Sequence, residues 1–248
     1  MQILKRILKP VIKNDCYQIQ FSFLQKESVS FPKQEYTKRA RIICSRHQEQ
    51  TKEEVVALKK KYEQPVFGKV LVWNLIERLA QCVDPTDCSL YCTNQLIHTL
   101  QVLEGMERDG ISDRNMILAA LVHDLGKLLL LTGEAPENVV CFNSPISAYE
   151  EGIGLDNCVF QWNHDEFAYS RLKYHVPEHV AWLIRYHSIL ISECKPFMNQ
   201  TDHIYTDRYL RVFAKYDQGT KSIYTLPKKN IENYREFIEQ TFPEPIFF

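Results

Sequence analysis

The pair His123-Asp124 is the strongest chemical signal in this sequence. It follows an apolar stretch in the context LAALVHDLGK, which places two residues that are costly to bury at the end of a buried helix. A buried carboxylate beside a buried imidazole destabilises a fold unless the two are paired or bind a metal. One interpretation is an ion pair between the end of this helix and Lys127. The other is a metal site, because imidazole nitrogen and carboxylate oxygen bind hard or borderline divalent metals.

Residues of the same chemical types recur elsewhere in the chain. His98 lies on the preceding predicted helix, and Asp217 ends a much later one. His164, in NHDEF, and His187, in IRYHS, lie between them along the chain. Each of these histidines taken alone is more typical of a packed core or of the surface than of a metal site. Together with the HD pair they make four imidazoles and two carboxylates, an inventory that suits two irons.

We predict that one carboxylate joins the two metal positions. Two cations a few ångströms apart repel each other and need negative charge between them. Asp124 is the expected bridge. The predicted ligands of one metal are His98, His123, Asp124 and Asp217, and those of the other are His164, His187 and the shared Asp124.

Apolar residues at three-and-four spacing predict the helices that must position these side chains. A helix over residues 93–109, capped by Thr93, carries His98, and a nearly all-apolar helix begins at Ser112 or Asp113. A break or tightening is expected near Gly126. Residues 132–160 are rich in glycine and proline and predict a long loop over the core. The other predicted helices cover residues 72–83, a segment starting near Phe160 or His164, residues 177–187 with Pro177 first, residues 209–217 and residues 231–242.

Length and composition narrow the class of protein. The 248 residues suffice for one domain, which we place at residues 34–248 after an N-terminal extension over residues 1–33. The first thirteen residues combine an apolar stripe with lysines and arginine, so they are either a targeting or surface-binding helix or a plain surface segment. The formal charge of −1 predicts no attraction to nucleic acid or to an anionic membrane. Uninterrupted apolar stretches fall short of the roughly 18 to 20 residues of a membrane span.

Eight cysteines are scattered along the chain without close CxxC pairs, which favours reduced thiols and a cytoplasmic location. They follow no secretory leader in this sequence. The protein is expected to be a monomer.

The order and surroundings of the candidate ligands resemble the myo-inositol oxygenase family, the mixed-valent diiron branch of the HD-domain superfamily. The resemblance runs from about residue 35 to residue 248 and is weaker before residue 65. It implies an all-α fold, a single HD-domain-like helical bundle with a long loop over the metal site. The matching segments are VDPTD at 83–87, the helix bearing His98, LVHDLGKLLLL at 121–131, TGE at 132–134, NHDEFAY at 163–169, LIRYHS at 183–188 and FAKYDQGTK at 213–221.

This resemblance implies two iron ions, mixed-valent Fe(II)/Fe(III), and the ring-cleaving oxidation of a cyclitol by O2 to a uronic acid. Asp124 and Lys127 match catalytic positions, and Lys127 and Lys221 would lower the pKa of metal-bound hydroxyl groups through their positive charge. Asp84 and Ser188 match substrate contacts. Structural roles are the alternatives: Lys127 could stabilise a helix C-terminus, Ser188 could be a cap and Asp84 could end its helix.

One departure affects the expected substrate. Where the family has Gly-Asp after the HD helix, this sequence has Cys141-Phe142, which removes polar substrate contacts and adds bulk. Asn143 or Ser144 could partly restore polarity. Besides myo-inositol, another polyol is therefore a candidate substrate for the same oxygenase chemistry. The remaining alternatives are metal-dependent phosphohydrolysis, common among HD-type enzymes, and a binding protein that keeps the metal for structure.

Overall fold

Helices make up nearly all the regular structure in the part of the chain that the computed structural model describes, residues 33–90 and 93–248. The all-α prediction is confirmed. One compact unit spans Tyr36–Phe248. The predicted N-terminal extension, with its basic amphipathic segment, lies outside the described residues as far as residue 32.

The α-helices, in chain order, are α1 Lys33–Gln48, α2 Lys52–Lys61, α3 Val72–Arg78, α4 Gln95–Arg108, α5 Arg114–Val122, α6 His164–Leu172, α7 Glu178–Tyr186, α8 Ile191–Cys194, α9 Gln200–Tyr205, α10 Arg211–Gly219 and α11 Arg235–Thr241. Tighter 3-10 turns occur at Leu79–Gln81, Leu125–Thr132, Pro136–Asn138, Leu155–Asn157, Lys195–Phe197 and Ile231–Tyr234, and a π-helical segment at Thr206–Leu210 leads into α10.

Polar side chains at the N-termini explain where several of these helices begin. Asp113 accepts hydrogen bonds from the first turn of α5, as predicted for Ser112 or Asp113. Asn163 does the same for α6, so that helix begins at His164. The cap of α4 is Asn94, whose side-chain oxygen accepts from the Ile97 amide at 3.0 Å, and the prediction of Thr93 as the cap is wrong. The amide oxygen reaches the third helical residue from this position.

The centre of the fold is α5 and the 3-10 segment that follows it. The residues Met116 and Leu118–Val122 are buried, as are Leu125–Leu129. The change from α-helix to 3-10 geometry falls at His123-Asp124, two residues before the predicted break at Gly126. The joined segment Arg114–Thr132 is long and apolar enough to cross a membrane, with a mean hydropathy of 1.4, but 72% of that stretch is buried inside the protein. Its burial identifies this segment as the core helix of the fold.

The other helices pack around this centre. Their ends differ from prediction by about one turn or less, except that α3 ends five residues before the predicted residue 83. Helix α7 packs against both α5 and α6, and α10 packs against α4 and α5. Helix α3 ends at Arg78 because its last predicted turn tightens into 3-10 geometry. Pro177 is the N-cap of α7 and not its first helical residue.

A two-stranded antiparallel ladder joins β1 (Lys69–Val70) to β2 (Ile246–Phe247), with Lys69 opposite Phe247. The Phe248 amide also donates to the Gly68 carbonyl at 3.0 Å. The sequence did not predict this ladder, since two-residue strands carry no period. It fixes Phe248, which is fully buried, with its ring against Phe167 of α6.

The segment between the 3-10 turn Leu125–Thr132 and α6 is irregular, as the predicted loop over residues 132–160 requires. An isolated bridge from Asn143 to Ile189 joins it to the body of the protein, whereas two short 3-10 turns and a bridge from Pro145 to Phe160 lie within the segment itself. Its first half reaches the N-terminus of α6, where Val139 O accepts a hydrogen bond from the His164 amide at 2.9 Å, and α6 packs against the 3-10 segment that follows Asp124. The loop is thus placed beside the HD pair.

Candidate metal centre

The structure brings the six predicted ligands, far apart in the chain, into one buried cluster. They come from α4, the end of α5, the start of α6, the end of α7 and α10. Because α4, α5, α7 and α10 pack together, residues on these elements meet where the elements cross. The relative exposures are His98 0%, His123 0%, Asp124 1%, His164 2%, His187 5% and Asp217 3%.

Asp124 divides the cluster into two groups. Its Oδ2 lies 3.3 Å from His123 Nε2 and 3.7 Å from His98 Nε2. Its Oδ1 lies 3.4 Å from His164 Nε2 and 3.7 Å from His187 Nε2. Each oxygen therefore lies near a different pair of imidazoles, and two groups able to hold a metal share this one carboxylate.

Asp217 belongs to the first group. Its Oδ1 lies 2.9 Å from His98 Nε2 and 3.8 Å from His123 Nε2. Its Oδ2 accepts a hydrogen bond from the Gln218 side chain at 2.7 Å. Burial raises the pKa of Asp217, but Lys221 and His98 outweigh that effect and hold it well below its usual range. The carboxylate is thus ionised and directed at the first pair of imidazoles.

Backbone carbonyls orient three of the histidines. His123 Nδ1 donates to Ala120 O at 3.0 Å, His164 Nδ1 to Val139 O at 2.7 Å and His187 Nδ1 to Ile184 O at 2.9 Å. A proton on Nδ1 leaves the Nε2 lone pair free, as in histidines that bind metals. The Nε2 atoms of His164 and His187 face each other at 3.3 Å. Two facing lone pairs repel unless a cation lies between or beside them.

The donor atoms without hydrogen-bond partners fit a metal. Among the described residues, His123 Nε2 and both oxygens of Asp124 are buried without a hydrogen bond of acceptable geometry, although Asp124 Oδ2 lies within ion-pair distance of Lys127. Unpaired buried polar atoms are rare in native proteins and need an explanation. A pair of cations bound by these nitrogen and oxygen atoms supplies one.

Protonation and metal binding compete at the second pair of histidines. Burial lowers the pKa of His164, but the carboxylates of Asp165 and Asp124 outweigh it and raise the pKa to about 9. The pKa of His187 is raised by the same carboxylates against the effect of burial. A metal ion must displace a proton here, so metal binding releases protons at neutral pH.

Asp165 is a site residue that sequence reasoning missed. It is fully buried, and its Oδ1 lies 3.0 Å from His164 Nε2 and 3.4 Å from His187 Nδ1. Its Oδ2 accepts a hydrogen bond from the Ser188 hydroxyl. The available signal was its position directly after His164, at the N-terminus of a buried helix. Asp165 thus connects the second histidine pair to Ser188.

Lys127 lies beside the cluster. It also forms the ion pair with the HD helix end that the sequence offered as an alternative to a metal site. Its ammonium group is 3.1 Å from Asp124 Oδ2, 3.0 Å from Asp84 Oδ2 and 3.2 Å from Gln95 Oε1. Burial lowers the pKa of Lys127, but Asp124 and Asp84 outweigh it and hold the pKa well above its usual range. Lys127 is therefore charged at neutral pH.

Lys221 is the second buried lysine of this region. Its ammonium group is 2.7 Å from Asp87 Oδ2. Burial lowers its pKa, but Asp217 and Asp87 raise it overall. Both predicted substrate lysines are thus held in place by carboxylates.

A cavity of about 220 Å³ opens onto the cluster. Every predicted substrate-binding residue lines it: Asp84, Lys127, Cys141, Phe142, Ser188 and Lys221. Four predicted ligands also reach its wall, namely Asp124, His164, His187 and Asp217. Cys44, Thr86, Asp87, Cys88 and Gln218 line it too and were not predicted. These come from α1, from the turn after α3 and from α10, so only the tertiary structure assembles them.

The loop with Cys141 and Phe142 forms one wall of the cavity. Cys141 has a φ of 88°, a left-handed conformation that favours glycine, which is the family residue at this position. Phe142 is 45% exposed at the opening. Asn143 does not line the cavity and is instead buried, hydrogen-bonded through its Oδ1 acceptor to His47 Nε2 at 3.0 Å. Asn143 and Ser144 therefore do not replace the missing polar wall.

Buried imidazoles and carboxylates around a small cavity, on a helical scaffold, define a metal-dependent helical enzyme. The chain matches the myo-inositol oxygenase family over residues 37–141 and 136–248, and it belongs to that family. The resemblance is confirmed, and the protein is an oxygenase.

Relatives from plants and animals agree with this assignment. The chain is 29% identical over 240 residues to a probable inositol oxygenase of Oryza sativa subsp. japonica, with 79% of this chain and 76% of the relative covered. It is 29% identical over 227 residues to inositol oxygenase 1 of Arabidopsis thaliana, with 76% and 72% covered. For the inositol oxygenase of Bos taurus the identity is 24% over 193 residues, with 63% and 67% covered.

Proposed function

We propose that this protein holds two iron ions and uses O2 to cleave the ring of myo-inositol, giving D-glucuronate. The supporting observation is the position of Asp124, whose two oxygens lie near separate pairs of imidazoles. A carboxylate in that position would bridge two cations and partly neutralise them. The first iron would be held by His98, His123, Asp124 and Asp217, and the second by His164, His187 and Asp124.

The iron pair, when bound, supplies the redox chemistry with O2 and Lewis acidity toward the substrate oxygens. The chain itself orients the substrate and sets the charge around it. Lys127, charged and fixed between Asp84 and Asp124, stabilises a substrate hydroxyl group as it loses its proton. Ser188, held by Asp165, presents its hydroxyl oxygen to the cavity.

The charges of the cavity favour a neutral polyol over a phosphate ester. Lys127 and Lys221 each already pair with carboxylates of the wall, and further carboxylates of the wall face the same space. A phosphate group needs cationic or N–H partners that are not already neutralised. Neutral hydroxyl groups, in contrast, can both donate to the carboxylates and accept from the lysines. Phosphohydrolysis is therefore the weaker proposal.

A second polyol is the alternative substrate, and the Cys141-Phe142 wall favours it. A thiol is a weak hydrogen-bond partner and a phenyl ring is none, so this side of the cavity suits a substrate edge with fewer free hydroxyl groups. The double substitution Cys141→Gly and Phe142→Asp introduces the family residues. It should lower the KM for myo-inositol, and an unchanged or higher KM would show that this loop does not set specificity.

The experiment that tests the proposal combines metal analysis, electron paramagnetic resonance and O2 uptake on the iron-loaded protein. We expect about two irons per chain, a mixed-valent signal after partial oxidation, and a change in that signal on adding myo-inositol. An oxygen-electrode screen over cyclitols and other polyols then identifies the substrate. A change with another polyol alone would support the alternative substrate, and phosphate release from esters without O2 uptake would overturn the oxygenase proposal for this site.

The cellular and assembly predictions belong with this proposal. We propose a cytoplasmic monomer, in keeping with cysteines that carry no disulfide among the described residues. Size-exclusion chromatography with light scattering checks the oligomeric state.

A further inference from the structure

Two cysteines from distant parts of the chain meet in the wall of the cavity. Cys44, on α1, and Cys141, in the loop before α6, have their Sγ atoms 2.9 Å apart, and both residues are partly exposed. A disulfide bond is about 2.05 Å long, so closing it requires an approach of less than about 1 Å. We propose that Cys44 and Cys141 are a modification site that forms a reversible intramolecular disulfide by exchange with a low-molecular-weight disulfide such as oxidised glutathione.

The surrounding contacts already hold the two sulfurs together. His47, one turn after Cys44 on α1, hydrogen-bonds through Nδ1 to Glu137 O at 2.8 Å and through Nε2 to Asn143 Oδ1 at 3.0 Å. The Cys141 carbonyl accepts a hydrogen bond from Asn163 Nδ2 at 3.0 Å. The α1 segment and the loop are therefore tied together on both sides of the sulfur pair. Disulfide formation then needs little movement of the backbone.

The surroundings of the two thiols set their relative acidity, and the cavity gives a small disulfide access to them. The Cys141 thiol donates toward Cys44, which lowers the pKa of the Cys44 thiol, while that hydrogen bond and burial raise the pKa of Cys141. Cys44 is thus the more readily ionised of the two thiols and attacks first, as its thiolate. Both residues line the cavity and are partly exposed, so the sulfur atoms of a small disulfide can reach them from its open side.

Two exchange steps complete the reaction. The Cys44 thiolate attacks one sulfur of the small disulfide, forming a mixed disulfide and releasing one small thiolate, which takes up a proton. Cys141 then loses its proton and attacks the Cys44 sulfur, releasing the second small thiol. The small disulfide is reduced to two thiols while the cysteine pair is oxidised.

The effect on the substrate rests on the proposed function. A disulfide has no S–H donor, so the bridge removes the S–H group that Cys44 can offer to the cavity beside Asp84 and ties the loop of Phe142 to α1. We expect the KM for the polyol to rise about threefold or more, the loss expected for one hydrogen bond. The iron content should stay the same.

The test uses the full-length iron-loaded protein, first reduced and then treated with oxidised glutathione, with remaining thiols alkylated. Digestion with trypsin and chymotrypsin cleaves after Phe142 and so separates Cys141 from Cys158. After this treatment, mass spectrometry should find the Cys44–Cys141 link in the unsubstituted protein and in the control variant Cys88→Ser. It should be absent from Cys44→Ser and Cys141→Ser. Because the closed loop is long, the oxidised protein should melt at least about 5 °C higher than the reduced one, and a dithiol should reverse the shift.

Other results would overturn the proposal. They are thiols that stay reduced in excess oxidised glutathione, glutathione that remains as a mixed disulfide, or a link that joins other cysteines. The peptide link is measured without any activity, so its failure is distinct from failure of the oxygenase proposal. A link that forms without changing KM would overturn the effect on the substrate and leave the proposed oxygenase activity untouched.

Discussion

At the scale of single residues, the carboxylate of Asp124 lies between the two groups of candidate metal ligands. Burial raises its pKa, but His123 and Lys127 hold the pKa well below the usual range, so the group is ionised even without metal. Both proposed metal positions would share this one negative charge. Loss of any other candidate ligand affects one position, whereas loss of Asp124 affects both.

Asp124→Ala is therefore expected to weaken metal binding at both positions by more than about a hundredfold, the upper end of what loss of a supporting contact alone costs. Iron per chain, measured after gel filtration, checks this. The matched control is Asp207→Ala, which removes a carboxylate whose side chain is 75% exposed. A full iron complement in Asp124→Ala would show that the bridging assignment is wrong.

Lys127 has a different role, because it touches the carboxylates and the cavity but is not a ligand. Lys127→Ala should keep both irons and lower kcat by about a hundredfold, since a fixed charge beside the reacting oxygens is lost. Iron analysis and O2 uptake on the same sample separate the two effects. Lys215→Ala, which removes a lysine that is 64% exposed, is the control. Loss of iron in step with activity would assign Lys127 a structural role.

At the scale of elements, Gly126 sets how closely the 3-10 segment approaches α6. A Cβ built on Gly126 would lie 2.0 Å from the backbone oxygen of His164. No side chain fits there without moving one element away from the other. This close approach keeps Asp124 within reach of His164.

Gly126→Ala should lower the free energy of unfolding by at least about 2 kcal/mol, the upper part of the range for overpacking, because the obstacle is backbone. Urea unfolding followed by circular dichroism measures it. Gly219→Ala is the control, since a Cβ at that position meets nothing within 4 Å. Equal stabilities of the two variants would contradict the close approach.

Glu134 joins α2 to the start of the long loop. It accepts hydrogen bonds from Lys61, Tyr62 and, at 2.9 Å, Asn138. Burial raises the pKa of Glu134, but these hydrogen bonds lower it from 4.5 to about 2. A pKa that is lower in the folded state makes the carboxylate stabilising above pH 4.5, and this contribution disappears as the pH falls through about 2.

Glu134→Gln should therefore lower the free energy of unfolding by about 1 to 2 kcal/mol at pH 7, a range reduced for partial solvent screening. The difference from the unsubstituted protein should shrink as the pH falls from 4.5 toward 2. Urea unfolding at a series of pH values checks this, with the exposed Glu244→Gln as control. A difference that does not vary with pH would rule out the ionised carboxylate as its cause.

At the scale of the whole molecule, the candidate centre occupies the point where α4, α5, α6, α7 and α10 converge. The side chains buried at this point are carboxylates and imidazoles, whereas a protein core is usually apolar. Without cations, several of their atoms have no hydrogen-bond partner among the described residues. We therefore expect metal binding and folding to be coupled.

Removal of iron by a chelator should lower the Tm by about 5 to 10 °C, the shift expected for loss of a ligand present well above its Kd. Differential scanning calorimetry measures the change, and added iron should restore the original Tm. Asp124→Ala should respond little to the chelator. An unchanged Tm in protein shown to be free of iron would mean that the centre does not support the fold.

Several features follow from local sequence alone. The apolar run of α5 and the capping side chains Asp113 and Asn163 specify their helices because the interactions lie within one or two turns. The order of the histidines and aspartates, together with the short sequence motifs around them, identified the family. Helix ends were predicted less well, as the 3-10 turn after α3 and the π-helical segment before α10 show, because packing decides how the last turn closes.

The sequence by itself determined which side chains are available for chemistry and on which helices they lie, since residue type and period are local properties. Only the tertiary structure decided which atoms meet. The separate directions of the two Asp124 oxygens, the Cys44–Cys141 contact and the place of Asp165 beside the second histidine pair depend on how elements cross. Such contacts join residues far apart in the chain, and their distances follow from the packing of whole helices.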